Sequence, residues 1–182
     1  MARFALALAL LLLGLLAFLF RPPAVSQEGG GEGRFEEVEF WLFPKADPDA
    51  RWRFSAQAVD YDADRRQIEV SGMAEGARYV EENTDLLLYA ERVTIDRFDN
   101  LRMPQAVVEL PNECWRLELE GSEERPVRID QNQGFYAPSF VLRGPGLRVE
   151  GKGFRSDFAL ENVTWRSGKE EWRTGEEDAC QN

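Results

Sequence analysis

The stretch AQAVDYDADRRQIEVSG (Ala56–Gly72) decides how this chain is read. Three aspartates, Asp60, Asp62 and Asp64, occupy alternate positions in it. An EF-hand-type calcium loop starting at Asp60 needs glycine at its sixth position and glutamate at its twelfth. The chain has Arg65 and Ser71 there. A catalytic acid pair needs two carboxylates facing each other across a pocket, which three acids at one bend do not supply. A hairpin turn fits without strain, because aspartate bonds its own backbone in turns. Tyr61 and Ile68 flank the bend. The stretch is therefore two strands and a turn, with the aspartates as its solvated tip.

The same two-residue period extends in both directions. RWRFSAQA places Trp52, Phe54, Ala56 and Ala58 on one face and Arg51, Arg53, Ser55 and Gln57 on the other. QIEVSG alternates through Ile68 and Val70, and ERVTID through Val93 and Ile95. CWRLELEG does so through Trp115, Leu117 and Leu119, and LRVEGKGF through Leu147 and Val149. A period of two means strands with one apolar and one polar face. Gly, Pro, Asn and Asp fill the breaks. Only DLLLYAERV carries a competing helical period, and strand is the preferred reading there.

A weak internal repeat supports this. Ala56-Gln-Ala-Val59-Asp-Tyr61 is followed after a turn by Ile68-Glu-Val70-Ser-Gly72. Ala90-Glu-Arg-Val93-Thr-Ile95 is followed by DRFDNLRMPQAVVEL. Ala137-Pro-Ser-Phe140-Val-Leu142 is followed by Leu147-Arg-Val149-Glu-Gly151. Each unit is one hairpin of chain. Repeated hairpins with one apolar face stack into a sheet that curls or folds over on itself.

The organisation expected is a membrane-directed segment at 1–21, a flexible linker at 22–34, a β-domain at 35–167 and a polar tail at 168–182. Arg3 precedes a run from Phe4 to Phe20 without a polar side chain. As a helix that run reaches roughly 26 Å, slightly short of a bilayer core of about 30 Å. It reads as an uncleaved single-pass anchor or as a signal peptide cleaved after Ser26. Either places the domain on the extracytoplasmic side of a membrane. Gly, Pro and charge in RPPAVSQEGGGEG make a tether.

Net charge is −11. That argues against a nucleic-acid partner, whose phosphates need a basic face. The chain has no histidine, which removes Ser-His-Asp and Cys-His nucleophiles and the usual zinc sites. No catalytic residue, metal or cofactor is expected. The two cysteines, Cys114 and Cys180, either form one disulfide pinning the tail to the body or stay as free thiols. The Gly144–Gly146 and Gly151–Gly153 pairs read as turn and close-packing glycines, since no helix follows to make a phosphate cradle. Asn162-Val-Thr164 matches a glycosylation sequon and carries little weight alone.

An apolar N-terminal segment, A-x-A-x-x-Y and I-E-V-S-G hairpin units, and GPGLRVEGKGFRSDF (Gly144–Phe158) together resemble the LptC and OstA-like superfamily. These are periplasmic proteins of lipopolysaccharide export, and the likeness covers roughly residues 35–165. The resemblance implies an all-β jellyroll of two sheets forming an open, V-shaped trough for acyl chains. It implies end-to-end joining with a homologous jellyroll protein through edge strands. It also implies lipid supply from an inner-membrane ABC transporter, with no hydrolysis by the chain itself.

The residues expected to face inward, and so to line a lipid groove, are Trp52, Phe54, Ile68, Val70, Val93, Ile95, Trp115, Leu117, Phe140, Leu142 and Val149. The large aromatics Trp41, Trp52, Trp115, Phe140 and Phe154 serve either as ordinary core or as groove lining. Acidity of the domain fits an anionic lipid head poorly unless arginines such as Arg51 and Arg53 meet it. Two other functional classes remain: an envelope scaffold assembling by edge-strand addition without cargo, and an exported enzyme using acid pairs.

Overall fold

A computed structural model describes residues 33–172. The N-terminal apolar segment, most of the linker, most of the tail and Cys180 lie outside the described residues. Within them the chain is all-β, with no helix. Twelve strands follow in order: β1 (Gly33–Leu42), β2 (Ala50–Asp62), β3 (Gln67–Val80), β4 (Asn83–Tyr89), β5 (Arg92–Ile95), β6 (Leu101–Met103), β7 (Gln105–Leu110), β8 (Trp115–Glu120), β9 (Val127–Asp130), β10 (Gly134–Gly144), β11 (Leu147–Ser156) and β12 (Ser167–Trp172). DLLLYAERV is strand, β4 and β5, broken at Ala90–Glu91. The strand region reaches Trp172, further than the boundary expected at 167. β12 pairs with β11 from Ser167 to Trp172, so backbone hydrogen bonds order a segment whose side chains are polar.

All pairings are antiparallel. Eight strands close a hydrogen-bonded ring in the order β3-β4-β7-β8-β10-β9-β6-β5, returning to β3. The result is a β-barrel with β1–β2 added beside β3 and β11–β12 beside β10. Two long strands make the closure. β3 pairs with β5 over Ile68–Ser71 and with β4 over Gly76–Val80. β10 pairs with β9 over Gly134–Tyr136 and with β8 over Ser139–Arg143. The ring thus has a β5 half (β5, β6, β9) and a β4 half (β4, β7, β8).

The chain crosses between the halves along one line. β4 passes to β5 through Ala90–Glu91, β6 to β7 through Pro104, and β8 to β9 through the 121–126 loop. β3 and β10 cross at Gly72–Glu75 and Ala137–Pro138. Neighbouring crossings are stitched together: the Gly72 N–H donates to Glu91 O at 2.9 Å, and the Gly121 N–H to Pro104 O at 2.8 Å. The residues on this line explain it. Pro104 and Pro138 have no N–H to give a ladder. Gly72 holds φ at +60°, and a Cβ there would lie 2.7 Å from Gln57 Oε1. The register of β2 against β3 shifts beside it, between Ser55 and Ala56.

The hairpin units read from the sequence meet this line. Ala56, Ala90 and Ala137 start them at crossings, Gly72 ends the first there, and Pro104 lies at a crossing inside the second. The tip at 63–66 is a turn, with the Arg65 N–H donating to Asp62 Oδ1 at 2.9 Å and Arg34 paired to Asp60 at 3.4 Å. These aspartates therefore act as the turn and surface residues expected.

Candidate functional site

The strands place the predicted inward residues in one interior. Trp52, Phe54, Val70, Val93, Ile95, Leu117, Phe140, Leu142 and Val149 are buried in a single apolar cluster. Ile68 and Trp115 are half-buried and pack against it. The Trp115 ring lies over Gly144, where a Cβ would come within 2.0 Å of it. Trp52 and Phe54 stack with centroids 5.7 Å apart, and Phe140 meets Phe154 at 4.6 Å. In this conformation the interior is packed by these side chains. Trp41 departs from the other large aromatics: it pairs in register with Arg53 and lies outside, 43% exposed. There it joins Arg51, whose guanidinium sits 5.5 Å from the Trp41 ring and 5.7 Å from the Tyr79 ring. Arg53 reaches Tyr79 at 5.8 Å, so the two arginines expected at a lipid head lie on an outer aromatic ladder.

Sequence reading missed the polar residues that close the far ends of the two halves. Arg78 stands opposite Trp52 in register, hence on the inward face of β3, and is only 6% exposed. It pairs with Asp85 and, at 2.5 Å, with Asp47 of the β1–β2 loop. Its guanidinium lies 4.1 Å from the ring of Phe158, beyond the end of β11. Trp52 Nε1–H donates to Gln131 Oε1 at 3.0 Å, and Gln131 Nε2–H donates to Asp99 O at 2.8 Å. The Lys45 N–H donates to Asp99 Oδ2 at 3.2 Å. Asp47, Lys45, Trp52 and Arg78 belong to the β4 end; Asp99, Gln131 and Phe158 belong to the β5 end. The one available signal was an arginine at an inward position of an alternating strand, which demands partners.

Two more features bear on function. The outer edges of β1 and β12 pair with no strand among the described residues. Exposed aromatics sit on or beside them: Phe35, Trp41 and Phe43 near β1, and Trp172 on β12. The second feature is a concavity of about 600 Å³ at the crossing line, floored by Met73, Ala106 and Leu119 and rimmed by Glu91, Glu120 and Glu123. Tyr89 borders it, its phenol pushed up by burial and by the charges of Glu109 and Glu75. Glu118 is held below the usual carboxylate range by the hydrogen bond from Arg143, against the opposing effect of burial. Among the described residues no group of three or more His, Cys, Asp or Glu side chains is placed to hold a metal ion. Cys114 is disulfide-bonded, while Cys180, the partner that the sequence offers, lies outside the described residues.

No protein-family model matches this chain, and no curated protein is significantly similar to it. The likeness to the LptC and OstA-like proteins therefore rests on the sequence units quoted above.

Proposed function

We propose that this protein is a membrane-tethered, periplasmic lipid carrier. It accepts a lipopolysaccharide-type or other envelope glycolipid from an inner-membrane ABC transporter complex and passes it toward the outer membrane. The carrying observation is one continuous apolar interior flanked by two strand edges without partners among the described residues. In this reading the ring is a two-sheet jellyroll folded along its crossing line, which opens into a V. Acyl chains replace side-chain contacts inside it. Apolar burial is worth about 25 cal/mol per Å², so one chain is held by several kcal/mol. Hand-over between similar interiors is then nearly isoenergetic. The edges of β1 and β12, which have no strand partner among the described residues, supply the junction with a homologous jellyroll protein by strand addition. The N-terminal segment tethers the domain to the membrane, and no step calls for hydrolysis by this chain.

The packed interior favours one second reading: an envelope scaffold that uses the same edges and carries no cargo. Native mass spectrometry of the full-length protein from source-organism membranes, followed by lipid extraction, separates the two. A discrete bound lipid, weakened by Trp115→Glu, supports the carrier. Trp115 suits this test better than Val70, because a charge at fully buried Val70 threatens the fold itself. A lipid-free protein that takes up no added lipid sinks the carrier and leaves the scaffold.

A further inference from the structure

We propose that the entrance to the apolar interior is the polar seam between the far ends of the two halves, held shut by a latch centred on Arg78. The ligand class is a long-chain acyl amphiphile, so the inference rests on the carrier reading.

Along the crossing line the halves are joined covalently at Gly72–Glu75, Ala90–Glu91, Pro104, 121–126 and Ala137–Pro138. They cannot part there. At the far ends every turn joins strands of the same half: 81–82, 111–114 and 145–146 on the β4 side, 63–66, 96–100 and 131–133 on the β5 side. Among the described residues only non-covalent contacts bridge the seam. They are Trp52 to Gln131, Lys45 to Asp99, and Arg78 against Phe158, together with apolar packing. The crossing line is therefore the hinge and the seam is the mouth.

The chemistry of the seam agrees. Elsewhere the interior is apolar, and opening it exposes hydrocarbon to water. At the seam lie the buried polar residues Arg78, Asp96, Gln131 and Ser156. Arg78 Nε is buried without a hydrogen-bond partner among the described residues. A buried guanidinium with an unmet donor gains hydration when the mouth opens, which offsets part of the lost packing. One of its two carboxylates, Asp47, sits on the β1–β2 loop rather than in a strand. Releasing that loop frees both the ion pair and the Lys45 contact together. An acyl chain entering here meets Trp52 and Phe54 first. The concavity at the crossing line is the rival entrance, but the chain itself bars it at Ala90–Glu91 and Pro104.

The test uses full-length protein carrying Lys45→Cys and Asp99→Cys, bridged by a short bis-thiosulfonate reagent that reductant releases. Wild type treated identically controls for the native cysteines. The probe is pyrene-labelled hexadecanoic acid offered from phosphatidylcholine vesicles. Uptake lost in the bridged protein and restored by reductant is the expected result. A second protein, Asp47→Asn with Phe158→Ala, leaves the strands intact and weakens the latch; its uptake is expected to be faster than wild type. Equal uptake with and without the bridge, or unchanged uptake in the weakened latch, overturns the entrance and leaves the carrier reading standing. No uptake by any form, the weakened latch included, overturns the carrier reading and the entrance with it.

Discussion

Trp52 shows how one side chain carries two jobs. Its ring is fully buried against Phe54, and its Nε1–H answers Gln131 on the opposite half. Trp52→Phe keeps most of the packing but strands the Gln131 acceptor, with an expected loss of about 1–3 kcal/mol. Trp52→Ala also leaves a cavity and is expected to lose about 3–5 kcal/mol. Urea unfolding of the two variants separates the terms; an unchanged Trp52→Phe would mean the hydrogen bond contributes nothing, and equal losses in the two variants would mean the packing does not. Asp157 gives a pH prediction. Burial raises its carboxyl, but the Asn162 side chain and the N–H groups of Asn162 and Glu161 outweigh that and hold it below the ordinary carboxylate range. A lowered folded value means the contribution is fully present above the unfolded value and is lost as pH falls through the folded one. Asp157→Asn is therefore expected to be less stable than wild type at neutral pH, with the gap closing as pH falls through and below the ordinary carboxylate range. Urea midpoints across an acid series report it, and a constant gap contradicts it.

At the scale of elements, the crossing line decides how long strands bend. Gly72 is a constrained position on it, at φ +60° with Gln57 packed against the space a Cβ needs. Gly72→Ala is expected to destabilise by about 1–2 kcal/mol through the left-handed backbone alone, and more through the contact. Adding Gln57→Ala should recover only part of the loss, because the Gln57 Cβ itself lies 2.9 Å from the new methyl. Full recovery in a thermal melt would place the whole effect in the side chain. β12 makes a different point. Its polar, exposed side chains bury little, and its order comes from the ladder to β11. An alternating-hydrophobicity pattern is silent about such a strand, which is why the domain was expected to stop at 167.

At the scale of the molecule, neither half of the ring covers its own apolar face. Each is buried against the other and against β2 and β11 side chains such as Trp52, Phe54, Val149 and Phe154, within one cluster. Unfolding of the domain is therefore expected as one cooperative transition, coincident by tryptophan fluorescence and by far-ultraviolet circular dichroism. Two separated transitions would show that a half stands alone. What was legible in the sequence follows from local geometry. The pleat forces side chains to alternate, so Trp52, Phe54, Val70 and Leu117 were readable as inward from their neighbours alone. The aspartates at 60–64 were readable as a tip because turn chemistry spans a few residues. The same logic left Trp41 unassigned, because only its pairing with Arg53 puts it outside.

The sequence by itself determined that the described chain is all-β, where its hairpins turn, and which apolar side chains of the alternating strands face inward. Only the tertiary structure decided that the hairpins close into a ring, and that Trp52 finds Gln131 across 79 residues of chain. It alone decided that Arg78 is sealed between Asp47, Asp85 and Phe158. The reason is physical. Alternation and turns are imposed by bonds and sterics within a few residues. Which face covers which, and what closes the mouth, depends on contacts between segments that have no local tie to each other.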